Sequence, residues 1–158
     1  MLFNPIAAIV AALSTFIVGF IWYNPKVFGT IWMQETGMTE EKAQKGNMVK
    51  IFGLTLVFSL LIAFFVPSLV IHHIGVLQSA GGNASDEAYL AFMQVHGQNF
   101  LSAKHGALHG FICGLLFVLP IIAINSLFEQ KSWKYILITS GYWIVSLTLM
   151  GAIICAWH

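Results

Sequence analysis

Long apolar runs alternate with short polar connections along this chain, and the runs set its architecture. Residues 5–24 form the first run, long enough for a helix of ~30 Å, the thickness of a bilayer's hydrocarbon core. Asn4 can cap that helix, and Pro5 suits its first position. The run lacks the basic leading segment and small-residue cleavage site of a signal peptide, so it reads as a retained helix. Residues 51–77 form a second run of ~40 Å, which must tilt, kink or protrude, with Pro67 as the expected kink. Residues 104–128 form a third, interrupted at Pro120, and residues 133–157 a fourth. The pattern predicts an all-α fold, an integral-membrane four-helix bundle forming one domain over residues 1–158.

The connections carry shorter signals. In residues 25–50, the stretch from Val27 to Met33 is too apolar for a free loop and too short to span, which predicts an interfacial helix anchored by Trp32. Thr39-Glu40-Glu41 then starts a short helix by its cap and first-turn acids. In the second connection, Gly81-Gly82-Asn83 is a turn, and Ser85-Asp86-Glu87 opens a helix whose apolar side is Tyr89, Leu90, Phe92 and Met93. Residues 129–132 make a tight turn.

Composition fixes the solvent. Only 8% of residues are charged and 58% are hydrophobic, against about 25% charged in a soluble domain, so the natural partner is a lipid bilayer. A net charge of +1 without any arginine points away from nucleic acid. Lysine placement orients the bundle. Lys26, Lys42, Lys45 and Lys50 lie in the first connection, Lys131 and Lys134 around the third, and only Lys104 at the other end. The positive-inside rule then puts residues 25–50 and 129–132 in the cytoplasm, with both termini outside the cytoplasmic membrane. It also gathers His72, His73, His96, His105, His109 and His158 at the outer end. Cys155 lies near that end, and Cys113 about two turns below His105.

The chemistry concentrates at the start of the third run. In a helix, His105, His109 and Cys113 form one stripe, and Gly106, Gly110 and Gly114 a second beside it. The glycine stripe invites a close neighbouring helix, as does a face of Ala8, Ala12, Thr15 and Gly19 in the first run. A small-residue face left outside the bundle would drive homo-oligomers. Two imidazoles four residues apart suit a metal, with Cys113, Cys155 and His158 as further ligands, and such nitrogen and sulfur donors suit Zn or Cu over Mg or Ca. Haem would need one axial histidine, or two from different helices. The plainer reading has no cofactor, with the histidines hydrogen-bonded at the interface. No nucleophile–base pair, phosphate loop or paired carboxylate marks an enzyme. Proton or solute passage ranks below ligand binding, because Cys113 is the one titratable group at mid-depth.

Several residues together, in order and over almost the whole chain, carry a resemblance. They are Asn4, Trp22-Tyr23, Trp32, Gly37-Met38-Thr39-Glu40-Glu41, His109-Gly110, Leu119-Pro120, Asn125, Leu127-Phe128-Glu129, Gly141-Tyr142-Trp143, Gly151 and Trp157. The chain resembles a bacterial family known as domain of unknown function 1761 (DUF1761). The resemblance implies a small multi-pass membrane protein without an established activity. It singles out His109, Asn125 and Glu129, and leaves His72, His73, His96 and His158 outside its pattern.

Overall fold

The computed structural model of the chain describes residues 4–157, which are helical and contain no strand. His158, one of the expected ligands, lies outside the described residues.

Helix α1 runs Pro5–Trp22. The Asn4 side chain accepts the Ile6 and Ala7 N–H groups at 3.0 and 3.4 Å, satisfying donors the first turn leaves orphaned. The expected helix to residue 24 stops two residues early, at Trp22, because Asn24 is extended and caps a π turn over Pro25–Gly29. Helices α2 (Thr30–Thr36) and α3 (Glu40–Gln44) complete the first connection, with Thr39 accepting the Lys42 N–H at 3.2 Å. Tyr23 packs against Trp32 and Tyr142, each with ring centroids 5.4 Å away. Burial pushes its phenol well above the ordinary tyrosine value, and the neighbouring Tyr142 and Tyr135 phenols add to the effect.

Helix α4 (Met48–Phe65) continues through α5 (Pro67–Val70). The expected 51–77 helix therefore starts earlier and ends earlier. Ile71 is extended (φ −111°, ψ 98°), and a separate helix α6 (His72–Ser79) begins after it. Pro67 is no helix terminator here; it occupies the first position of α5, where a missing N–H is tolerated. Helix α7 (Glu87–His96), capped by Asp86, rests on α6 and completes the second connection.

Helix α8 (Ala103–Cys113) passes through a π segment, Gly114–Val118, into α9 (Leu119–Phe128). The wide turn lies just ahead of Pro120, whose ring would otherwise meet the carbonyl four residues back. Helix α10 (Trp133–Ala156) is capped by Ser132, whose hydroxyl also donates to Glu35 and ties the first and third connections together.

Four helical stretches are long and apolar enough to cross a membrane: Pro5–Trp22, Met48–Val70, Ala103–Phe128 and Trp133–Ala156. Their mutual contacts use small residues. Ala7, Ala8, Ala11, Ala12 and Thr15 are buried on α1, and the Thr15 and Ser59 hydroxyls bond across to α4 at 3.1 Å. The Trp22 indole N–H donates to the Ile138 carbonyl of α10 at 2.9 Å, and the Trp22 ring lies where a side chain at Gly141 would stand. Large apolar side chains such as Phe20, Val49, Leu61, Phe65 and Phe117 point outward, the arrangement that lipid rather than water favours.

Candidate metal centre

The geometry starts from the contact between α8 and α10. A Cβ at Gly110 would collide with the Leu147 carbonyl, and one at Gly114 would lie 2.6 Å from Ile144 Cα. Gly106 and Gly151 face each other so closely that a side chain on either would strike the other's carbonyl. The expected glycine stripe is therefore an internal seam. It holds α8 against α10 and turns the adjacent stripe, His105 and His109, toward the end of α5 and the start of α6.

There a third imidazole joins them. His72 opens α6 directly after the break at Ile71. One ring nitrogen from each of His72, His105 and His109 lies within 4.8 Å of the other two. Nε2 of His72 and Nε2 of His105 are hydrogen-bonded at 2.9 Å, so one carries the proton and the other accepts it. Ring centroids are 4.5 Å apart for His105–His109, 4.9 Å for His72–His105 and 5.0 Å for His72–His109. His72 is exposed and the other two half-buried, so the cluster opens to the surface.

The cluster is backed by an unusual residue. Phe100 has φ of 64°, a left-handed conformation costing a bulky side chain about 1–2 kcal/mol. Its ring packs on those of His72 and His105, at centroid distances of 5.7 and 5.0 Å. Its carbonyl accepts the Ser102 N–H at 3.0 Å and the Cys155 thiol at 3.3 Å. Ser102 in turn caps α8 by accepting the His105 N–H at 3.3 Å. The loop before α8 is thus tied at both the backbone and the ring to the ends of α8 and α10.

Three neutral imidazoles from two chain segments are a recognised donor set for Zn and related transition metals. Around such an ion the nitrogens of a tetrahedral site sit about 3.3 Å apart. Reaching that spacing asks for small side-chain rotations and exchange of the His72–His105 hydrogen bond for two metal bonds. Among the described residues no fourth His, Cys or carboxylate joins the group. A haem held by two of these histidines fits poorly, because a porphyrin must pass between its axial imidazoles and these rings are already in mutual contact.

The remaining expected ligands lie elsewhere. Cys113 continues the stripe but is not in the group. Cys155 is buried, with its thiol directed to the Phe100 and Val70 carbonyls, the latter at 3.7 Å. His73 is buried, and its Nε2–H donates to the His96 carbonyl at 2.9 Å. His96 Nδ1 accepts from the Asn99 amide at 3.0 Å, so both histidines hold the second connection in place. Of the resemblance residues, Glu129 closes α9 by donating its N–H to the Asn125 carbonyl at 3.0 Å. Pro120 follows the π segment, and Trp157 is a half-exposed ring at the end of α10.

Beside the cluster, a groove of about 530 Å³ runs along α8. Its walls include Lys104, His105, Ala107, Leu108 and Phe111, with Thr148 from α10. It is mostly apolar, with Ser102, Lys104 and His105 as the polar residues from the start of α8.

A family model described as "Protein of unknown function (DUF1761)" matches residues 6–155. No curated protein and no solved structure matches the chain.

Proposed function

The chain belongs to the DUF1761 family, and from that premise we propose that it is a multi-pass membrane protein that binds one transition-metal ion of the Zn or Cu class. His72, His105 and His109 are its ligands. The observation that carries the reading is the convergence of three imidazole nitrogens from separate segments within 4.8 Å. Two of the three lie on a rigid, glycine-packed helix, which is how a site is held without support from a flexible loop.

Six of the seven lysines belong to the opposite end of the bundle, which supports an orientation with the site and both termini outside the cytoplasmic membrane and residues 25–50 and 129–132 in the cytoplasm. A Gly82→Cys variant is then expected to react with a membrane-impermeant thiol reagent in intact cells. Labelling only after lysis would reverse the orientation.

Metal binding is tested by titrating the protein, purified in an uncharged detergent, with Zn²⁺ or Co²⁺. The expected stoichiometry is one ion per chain. Each imidazole must be deprotonated to ligate, so affinity should fall on acidification as protons compete. Absence of a stoichiometric ion, or an affinity indifferent to acidification, would remove the reading.

A further inference from the structure

We propose that a second site, between α6 and α7, binds a small phenol: one aromatic ring whose O–H donates to Nδ1 of His73. This site is separate from the metal reading and goes beyond it.

A pocket of about 230 Å³ lies there, lined by His72, His73, Phe92, His96, Asn99 and Phe100. It sits just past the end of the candidate span Met48–Val70. Rings make up its walls. Phe92 meets His73 edge-on at a centroid distance of 6.2 Å and His96 at 5.0 Å, and Phe100 meets His72 edge-on at 5.7 Å. An aromatic guest packs on such walls offset or edge to face. An apolar cavity of about 150 Å³ is enough to hold benzene, so this one has room for a single ring with a substituent.

His73 supplies the polar anchor. It is 2% exposed. Its Nε2–H is committed to the His96 carbonyl at 2.9 Å, which leaves a lone pair, not a proton, on Nδ1 of the neutral ring. Among the described residues no donor reaches that Nδ1. A buried acceptor without a donor costs stability, and a ligand's O–H removes that cost. Neighbouring polar atoms are already paired: His72 Nε2 with His105, and His96 Nδ1 with the Asn99 amide.

A lone acceptor among rings suits a phenol over water, since a buried water seeks roughly two to four polar partners. A carboxylate would bring further acceptors where a donor is needed. The edge of a membrane also suits a molecule with an apolar ring and one polar tip, as it does tyrosine.

The experiment uses the full-length, metal-free protein in an uncharged detergent, so its result is independent of the metal reading. Phenol is compared with anisole, which has the same ring and an oxygen without a proton. Phenol is expected to bind once per chain, about tenfold or more tighter than anisole. It should shift the nitrogen NMR signal of His73 Nδ1, which anisole leaves in place. Phe92→Trp, which fills the pocket with a larger ring, should abolish both effects while its circular dichroism stays helical. The Nδ1 signal is read in the unmodified protein and decides the matter even if that variant misfolds. Equal binding of phenol and anisole with an unmoved Nδ1 signal would reduce the site to unselective apolar packing and overturn the inference. Phenol binding unchanged in a folded Phe92→Trp would place the phenol in the micelle or elsewhere on the chain, and overturn it too. An Nδ1 that already accepts a hydrogen bond before phenol is added, and does not respond to it, would make water the occupant, and the inference falls.

Discussion

Gly110→Ala is expected to destabilise the bundle by about 3 kcal/mol or more. Its new methyl group would collide with the Leu147 carbonyl and approach Thr148 Cα at 3.0 Å, and neither backbone can move without parting α8 from α10. Overpacking of a fixed contact commonly costs about 1–3 kcal/mol, and more where backbone faces backbone. The same substitution at Gly53, in α4, meets nothing within 4 Å. There it should be neutral or stabilise by up to about 1 kcal/mol, because alanine is the better helix former. Unfolding of both variants in micelles checks the contrast. Equal stability of the Gly110→Ala variant and the unmodified protein would mean that α8 and α10 do not meet at this seam. A second consequence follows from the neighbouring position. Parting α8 from α10 also displaces His109, so whatever Gly110→Ala protein folds should bind metal more weakly.

The second large effect concerns His72. His72→Ala, His105→Ala and His109→Ala should each weaken metal binding by about 100-fold or more, since loss of a partner merely supporting a ligand already costs 10–100-fold. Cys113→Ser and His96→Gln should leave metal affinity unchanged. Cys113 is outside the converging group, and His96 is engaged with Asn99. The exposure of His72 matters here, because its removal leaves no buried cavity and should hardly affect folding. Retention of full affinity in His72→Ala would place the ligands elsewhere.

Some of this arrangement is legible in the residues and some is not. Glycines at every fourth position announce a helix–helix seam, and the helix period alone places His105 and His109 together beside it. Lysine bias and helix order bring His72 to the same end of the bundle. Its place beside the pair depends on the break at Ile71, a β-branched apolar residue between Val70 and His72 that carries no turn signal of its own. Periodicity cannot register a single extended residue. The stripe also suggested Cys113 as a ligand. The third imidazole of the cluster comes from another segment, through tertiary packing that spacing along one helix does not encode. The positive φ at Phe100 is equally silent, since phenylalanine carries no preference for that conformation.

X-ray absorption at the metal edge of the Zn-loaded protein tests the three-histidine centre most directly. Three imidazole nitrogens at ~2.0–2.1 Å are expected. A sulfur scatterer at ~2.3 Å, or a shell of oxygens without the imidazole signature, would contradict it.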